Sequence, residues 1–244
     1  MTDHASPLPD LRHRLQTGGH IFTPRAVMQT LLPEAFAASW PALAASWNDL
    51  GPDRFMADGG RYRKRRHAVF SLSSGKFRRE AHQPHYQSRD YNMLNGGVQR
   101  WFDPVTEETA ANPAFLALLD LCRDLFLDEA GLAADWHIEI HQFRIEPAPG
   151  ETGQPTPEGM HRDGVDWVAV ILIDRLNVSE GVTAICGPAR ISLGTFILTY
   201  PLDAVFLNDH RVLHGVTPIH RLDVSQSGHR DVLVVTFHHR EAEL

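Results

Sequence analysis

The sequence lacks the features of membrane-spanning, secreted and disulfide-stabilised proteins. No apolar run in its 244 residues approaches the roughly 18 residues that a membrane-spanning helix needs. The first residues include no apolar segment typical of a signal peptide, so we expect a cytoplasmic protein with no membrane partner. Only two cysteines occur, Cys122 and Cys186, and neither belongs to a CxxC pair. We therefore expect core thiols and no disulfide framework.

Positive charge is too scarce for a general nucleic-acid-binding protein. The chain has 23 lysines and arginines against 30 aspartates and glutamates, a formal net charge of -7. Nucleic-acid binding usually requires a basic surface, so we expect no nucleic-acid partner. Histidine, in contrast, occurs 15 times. This abundance raises the chance of a metal site, but it equally raises the chance of accidental metal-like spacings.

Three segments carry helix signals. Thr23 and Pro24 resemble an N-cap followed by proline at the first helical position, and Pro33 closes this helix. A second helix is predicted over 34–50, where large apolar residues recur every three or four positions. The clearest helix is predicted at about 113–130, opened by asparagine and proline at 112–113. We interpret the last two as packing helices without a chemical role.

Strand periodicity dominates the second half of the chain. Turn residues separate six segments with strand-like patterns: 136–145, 165–173, 196–200, 204–207, 212–219 and 232–237. Short strands without intervening helices favour an antiparallel sandwich or barrel over a βαβ fold. Because no repeat or linker is present, we expect one domain over 1–244, with a mostly helical cover over 1–60 and a β-core over 61–244.

A basic run opens the first strand segment of this β-core. Arg61, Arg63 and Arg65 would share one face of a strand, because alternate residues of a strand point the same way. We expect a solvated edge strand that charge protects against aggregation. The alternative is that one or two of these arginines bind a substrate carboxylate, since a guanidinium matches carboxylate geometry.

The junction between a polar loop and the apolar segment 165–173 carries two candidate metal ligands. His161 and Asp163 are separated by one residue and would point to the same side at the mouth of a strand. The pair alone is weak evidence, and a second His-x-Asp pair occurs at 229–231. A later histidine, His214, would complete a set of two histidines and one carboxylate, the pattern of non-haem Fe(II) oxygenases. His210 competes for this third position, because it precedes His214 by four residues with the same strand parity.

Several motifs resemble one known family. These are PTPEGMHRDGVDW at 155–167, HGVTPI at 214–219, RDV at 230–232 and, more loosely, NGG at 95–97. They are similar to those of bacterial 2-oxoglutarate/Fe(II)-dependent dioxygenases of the isoleucine-hydroxylase type. The resemblance implies a mainly β (α+β) fold, a double-stranded β-helix or cupin-like jelly roll with N-terminal and central helices packed on the sandwich. It also implies Fe(II) held by His161, Asp163 and His214, with 2-oxoglutarate and O2 as co-substrates.

The far carboxylate of 2-oxoglutarate needs a buried cation, and Arg230 is our candidate. It opens the segment RDVLVVTF, and its guanidinium can hold a carboxylate with two hydrogen bonds. In the commoner pattern of the superfamily the basic residue follows the distal histidine more closely. Arg221 and Arg144 are therefore kept as substitutes, and a surface ion pair with Asp231 is the alternative role for Arg230.

The resemblance implies hydroxylation of a small-molecule substrate, a free L-amino acid or a similar small carboxylate, with release of succinate and CO2. Aromatic and basic residues are expected at the pocket, and the candidates are Trp167, Tyr86, Tyr91, Trp101 and the run 61–66. Trp167 could equally belong to the core. Two alternatives remain open: a non-catalytic jelly-roll module for binding or sensing, and a cupin-like metal enzyme that does not use 2-oxoglutarate.

Overall fold

The computed structural model describes residues 6–92, 94 and 96–240. Asn95 of the predicted NGG motif and both ends of the expected 1–244 domain lie outside this part. Short helices precede and interrupt a set of β-strands, in the order α1 (Leu8–Gly18), β1 (His20–Thr23), α2 (Arg25–Leu31), α3 (Phe36–Ala45), β2 (Arg63–Ser73), β3 (Lys76–Arg79), α4 (Glu107–Ala110), α5 (Pro113–Phe126), α6 (Glu129–Ala133), β4 (Trp136–Ile145), β5 (Trp167–Leu176), β6 (Val178–Glu180), β7 (Val182–Cys186), β8 (Ser192–Ile197), β9 (Ala204–Asn208), β10 (Leu213–Val216), β11 (Ile219–Arg221) and β12 (His229–His239).

Two layers of antiparallel strands form the β-core. The large sheet has seven strands in the order β1-β9-β5-β12-β4-β2-β3, and the smaller layer contains the sheets β10-β7-β8 and β11-β6. Apolar side chains such as Ile185 and Phe196 of the smaller layer pack against the large sheet. The ring of Phe196 stacks on that of Phe22 in β1, with ring centres 4.9 Å apart. The predicted antiparallel sandwich is confirmed.

The two faces of the large sheet differ in polarity. In β4, β5 and β12, one alternate set of side chains is apolar and packs against α1, α3 and α5, as with Ile140, Ile171 and Val235. The other set turns to the space between the sheets and includes charged side chains, among them Glu139 and Arg230. The period of two in a strand produces this separation. The helices therefore complete the core, and the opposite face is available for a site.

The predicted helices exist, with different ends. The N-cap of α2 is Pro24, because Thr23 is the last residue of β1. The helix predicted over 34–50 is α3, which ends at Ala45 and continues as a 3-10 helix over Ser46–Asp49. Asn112 caps α5 as predicted, accepting hydrogen bonds from the next two free backbone N–H groups. That helix ends at Phe126, and α6 begins at Glu129 after two intervening residues.

The strand predictions were accurate for β4 and incomplete elsewhere. The segment 212–219 forms two strands in different sheets, β10 and β11. The strands β1, β6 and β7 were not predicted, since each is short and lacks clear alternation. No helix in the described part of the chain combines the length and apolar character needed to cross a membrane. Cys122 is buried in α5 and Cys186 is half-buried in β7, and both are free thiols.

The prediction of a solvated edge strand at the basic run was wrong. β2 lies inside the large sheet between β4 and β3. Arg63 and Arg65 are only 6% and 4% exposed and face the space between the sheets. Arg61 lies before the strand and is exposed. The shared face of the strand is thus a buried, charged wall.

Candidate active site

A cavity of about 400 Å³ lies between the two layers. Its floor is the charged face of β2, β4 and β12, and its rim contains the loop segments 85–92 and 155–165 together with β10. The predicted ligands and Arg230 all line this one cavity. Of the predicted aromatic pocket residues, Tyr86 and Tyr91 line it. Trp101 does not line it, and Trp167 stacks on Phe126 with ring centres 5.5 Å apart.

Backbone pairing brings the motif loop to β10. The His161 N–H donates to the His214 carbonyl at 3.0 Å, and the His214 N–H donates to the His161 carbonyl at 2.9 Å. Asp163 lies between the two imidazoles, with one carboxylate oxygen 3.6 Å from His161 Nε2 and the other 3.6 Å from His214 Nε2. The three side chains separated in the sequence therefore converge on one point.

A buried carboxylate that the sequence reading missed holds the loop around Asp163. Asp209 accepts hydrogen bonds from the backbone N–H groups of Asp163, Gly164 and Val165 at 3.1, 2.8 and 3.2 Å. Gly164 has a φ of +81°, and a Cβ there would lie 2.6 Å from the ring of Tyr91. The loop is thus fixed from one side by Asp209 and from the other by an aromatic wall. The position of Asp209 in a turn after β9 gives no sequence signal of its role.

The charges of the three side chains follow from their mutual contacts. Burial would raise the pKa of Asp163, but hydrogen bonding to His161 and the nearby His214 hold it far below its usual range. Burial would lower the pKa of His161, but Asp163 and Glu158 outweigh it and raise the pKa to about 9. Burial and the neighbouring His161 lower the pKa of His214 to about 4. Asp163 is thus anionic and His214 neutral at pH 7, and His161 gives up a proton when it ligates a metal.

The structure separates the two histidines that competed for the third ligand position. His210 lies in the turn between β9 and β10, and not on the strand of His214 as its parity suggested. Its side chain is 69% exposed and pairs with Asp166 at 2.9 Å. His214 is buried and faces Asp163. Only His214 is placed to share a metal ion with the pair on the loop.

Arg230 has the properties expected of an anion-binding residue. It is 2% exposed, and its Nε and Nη2 atoms have no hydrogen-bond partner within the described residues. Burial and repulsion by Arg175 lower its pKa to about 10. Asp231, the alternative partner, points to the opposite face of the sheet and binds Arg144 through two hydrogen bonds of 2.8 and 2.7 Å.

The substitute arginines are already occupied. Arg144 is committed to Asp231, as described above, and Arg221 donates to the backbone carbonyls of Pro147 and Gln226 at 2.7 and 3.0 Å. Neither lines the cavity. Of the three candidates, Arg230 alone offers a free guanidinium to a ligand there.

A second group of ligand-capable side chains shares the cavity wall. Glu139 of β4 is surrounded by imidazoles, with Oε2 2.6 Å from His85 Nδ1 and 3.5 Å from His141 Nε2, while His67 lies 3.6 Å from Oε1. Arg65 Nη2 lies 2.7 Å from His141 Nδ1. An arginine can only donate, so this nitrogen of His141 accepts, and its proton is on Nε2, which faces Glu139. In this group His85 is hydrogen-bonded to Glu139 and His141 to Arg65, while neither ring nitrogen of His67 has a hydrogen-bond partner among the described residues.

The first group fits a mononuclear iron site. The ligand atoms of His161, Asp163 and His214 lie within 4.8 Å of one another. Each Asp163 oxygen lies 3.6 Å from the Nε2 atom of one of the two histidines. Two donors bound ~2.1 Å from one ion can be at most ~4.2 Å apart, so these atoms are close enough to share an ion. Two imidazoles and one carboxylate suit Fe(II) and leave positions for other ligands. The free guanidinium of Arg230 fits the anionic end of an oxo acid in the same cavity.

A jelly-roll sandwich with this set of ligands defines the class of non-haem iron oxygenases. The chain belongs to the 2OG-Fe dioxygenase family, whose model matches residues 44–236. It is 28% identical over 173 residues to a 3(1)-hydroxy-L-isoleucine 4-dioxygenase of Pantoea ananatis, covering 70% of this chain and 68% of that protein. It is 25% identical over 165 residues to an L-isoleucine-4-hydroxylase of Bacillus thuringiensis, covering 65% of this chain and 67% of that protein.

The fold agrees with the family assignment. A crystal structure of a bsmA homolog from Methylobium petroleophilum superposes with a TM-score of 0.84 at 37% identity, covering 95% of this chain and 92% of that one. The predicted family and jelly-roll fold are confirmed. The protein is a 2-oxoglutarate-dependent non-haem iron dioxygenase, and its co-substrates are 2-oxoglutarate and O2.

Proposed function

We propose that this enzyme hydroxylates a free L-amino acid, or a similar small carboxylate, and releases succinate and CO2. In this proposal His161, Asp163 and His214 hold Fe(II), and Arg230 binds the far carboxylate of 2-oxoglutarate. One observation carries the proposal: the three converging ligand groups line the same cavity as Arg230, whose Nε and Nη2 atoms have no hydrogen-bond partner among the described residues. A charged group buried without a partner is costly, which favours a role for Arg230 with an anionic ligand.

The choice of substrate rests on relatives and on size. Both curated relatives are named for reactions on L-isoleucine or its hydroxylated form. A cavity of about 400 Å³ lies at the lower end of the range of small-molecule sites, so it suits a compact substrate beside 2-oxoglutarate. Valine side chains at 232 and 234 form part of its wall, which supports an aliphatic substrate side chain.

The residues of the chain contribute placement more than proton transfer. Bound Fe(II) supplies the centre at which O2 and the oxo acid react. Asp163 and the two histidines would hold the ion at the cavity wall, and three protein ligands would leave positions for other ligands. Asp209 holds the backbone of the Asp163 loop, and Arg230 orients the oxo acid by charge and by its planar fork. Val232 and Val234 make one part of the otherwise charged wall apolar.

Aerobic incubation with Fe(II), 2-oxoglutarate, ascorbate and each of the common L-amino acids tests this function. We expect succinate and a product heavier by one oxygen atom for at least one aliphatic amino acid. Iron-loaded protein that forms no succinate with any of them would sink the proposal. Under anaerobic conditions, metal binding without a visible charge-transfer band on addition of 2-oxoglutarate would favour the cupin-like alternative, and absence of metal binding would favour the non-catalytic module.

The metal ligands are tested by a matched pair of histidine variants. His214→Ala removes a proposed ligand, so we expect loss of metal binding and of turnover. His210→Ala changes an exposed histidine four residues away, and it should retain both. The opposite result for the two variants would assign the third ligand to His210.

A further inference from the structure

Arg100 is a buried arginine of the cavity to which the reaction described above gives no role. It is 2% exposed, and its backbone is fixed by two hydrogen bonds with His85, of 3.0 and 2.9 Å. Its Nε and Nη2 atoms have no hydrogen-bond partner in the described part of the chain, and its side chain lines the cavity. Burial, with repulsion from Arg63, lowers its pKa. A guanidinium held in this way indicates a site for an anion.

The neighbouring carboxylates of the protein are committed to other groups. Asp53 accepts from Arg63 at 2.7 Å and lies 3.7 Å from Arg65. Glu139 is engaged by the histidine network, at 2.6 Å from His85. No carboxylate of the described residues lies within ion-pair distance of Arg100. The anion that balances this guanidinium must therefore come from a ligand.

Glu158 is the complementary feature of the same cavity. Its side chain is 13% exposed, and its buried Oε2 atom has no hydrogen-bond partner among the residues described. Its Oε1 atom lies 3.5 Å from His161 Nε2, so the carboxylate borders the proposed iron site. Glu158 and Arg100 influence each other electrostatically without pairing. Two opposite buried charges that face one cavity, and do not neutralise each other, leave room for a ligand that carries both charges.

We propose that Arg100 and Glu158 bind the two charged groups of an α-amino acid, Arg100 the carboxylate and Glu158 the ammonium group. The proposal rests on the proposed function, because it identifies this zwitterion as the substrate that lies beside His161 and Asp163. Glu158 is preferred to Glu139 for the ammonium group because one of its oxygens is free. Arg230 remains the residue for 2-oxoglutarate, so the two carboxylates in the cavity have separate arginines.

Calorimetric titration without turnover tests this site. The protein is loaded with Fe(II) and 2-oxoglutarate under anaerobic conditions and titrated with three probes. These are L-isoleucine, 3-methylpentanoic acid, which lacks the ammonium group, and 2-methylbutylamine, which lacks the carboxylate. The variants are Arg100→Met, Arg100→Lys and Glu158→Gln. Arg66→Met and Glu146→Gln are matched controls, since these residues form ion pairs away from the cavity.

The expected result is a crossed pattern, in which each variant loses affinity only for the probes that carry the charged group it binds. Arg100→Met should raise the Kd of L-isoleucine and of the acid by at least ~30-fold, and it should leave the Kd of the amine unchanged. Arg100→Lys should show an intermediate loss, because it keeps the charge without the planar fork. Glu158→Gln should weaken L-isoleucine and the amine and spare the acid. Arg100→Met and Arg100→Lys should change the Kd of 2-oxoglutarate much less than the Kd of L-isoleucine.

The possible outcomes distinguish failure of the proposed zwitterion site from failure of the proposed hydroxylation. Wild-type affinity in Arg100→Met, or equal losses for all three probes, would overturn the site, as would a wild-type protein that binds none of the common amino acids. If the crossed pattern appears but no succinate or hydroxylated product forms aerobically, the zwitterion site stands and the proposed reaction fails. If succinate forms with a carboxylate that has no amino group and Glu158→Gln has no effect, the dioxygenase stands and this site fails.

Discussion

Replacement of Arg230 by methionine should have opposite effects on stability and on the binding of 2-oxoglutarate. Folding lowers the pKa of Arg230 to about 10, mainly because of burial. A folded pKa below the unfolded value means that folding disfavours the charged form, and this cost is present at every pH below about 10. At ~1.4 kcal/mol per pKa unit, the cost is ~3 kcal/mol at neutral pH. Arg230→Met removes it.

We therefore expect Arg230→Met to melt roughly 6–12 °C higher than wild type in the absence of 2-oxoglutarate, at ~2–4 °C per kcal/mol for a chain of this size. The same change removes the partner of a buried carboxylate, at a cost of ~2–5 kcal/mol in binding. This corresponds to a rise of about 30-fold to a few thousand-fold in the Kd of 2-oxoglutarate. Differential scanning fluorimetry and anaerobic titration of the iron-loaded protein measure the two effects.

Arg221→Met is the matched control, because Arg221 was a candidate for the same role and its guanidinium binds two backbone carbonyls away from the cavity. It should leave the Kd of 2-oxoglutarate within about twofold of wild type. The reasoning is refuted if Arg230→Met binds 2-oxoglutarate normally, or if Arg221→Met loses binding. A fall in melting temperature of the Arg230 variant, with binding also lost, would show that the guanidinium stabilises the fold.

Three further predictions follow from buried polar groups. Asp209→Asn should lower metal affinity by ~10- to 100-fold in a metal titration, because the Asp209 carboxylate holds the ligand loop. Asp203 also accepts from backbone N–H groups but lies outside the cavity, so Asp203→Asn should keep the wild-type affinity. Equal metal affinities of the two variants would contradict the role of Asp209. Burial lowers the pKa of His85 from 6.5 to about 4. Below pH 6.5 the unfolded chain therefore binds a proton that the folded chain does not, and the free energy of unfolding should fall by ~2 kcal/mol between pH 7 and 5. His85→Gln should reduce that loss in urea titrations, and an unchanged pH dependence would contradict the assignment. Asn112→Ala should lower the melting temperature by ~2–4 °C through loss of the α5 cap, at ~1 kcal/mol, and no change would mean that the cap does not contribute.

The sequence predicted those parts of the fold whose signal is local. The alternation over 136–145 locates β4, because one face of that strand meets the helices and the other does not. Asn112 and Pro113 locate the start of α5, because a cap acts on its own backbone. The family motifs led to His161, Asp163 and His214, but parity could not separate His214 from His210. That choice depends on where a turn ends, and the turn after β9 places His210 in solvent.

Other parts of the site depend on contacts between distant segments. The basic run at 61–66 suggested an exposed strand, since charge usually indicates solvent. Arg63 and Arg65 are instead buried, because Asp53 pairs with them and the wall they form faces a cavity. Asp209 lies outside every motif, and its function depends on a loop 46 positions earlier in the chain. Such residues carry no local pattern that a single sequence can show.

The distribution of satisfied and unsatisfied charges distinguishes the site from the rest of the molecule. Away from the cavity, the buried carboxylate of Asp231 has a close partner in Arg144, at 2.7 Å. On the cavity wall, Arg100, Glu158 and Arg230 each keep polar atoms without a partner within the described residues. Such atoms oppose folding, and a jelly roll that served only as a structural module would gain stability by pairing or replacing them. Their concentration in one cavity, beside three converging metal ligands, therefore supports two anionic ligands bound there together, each with its own arginine.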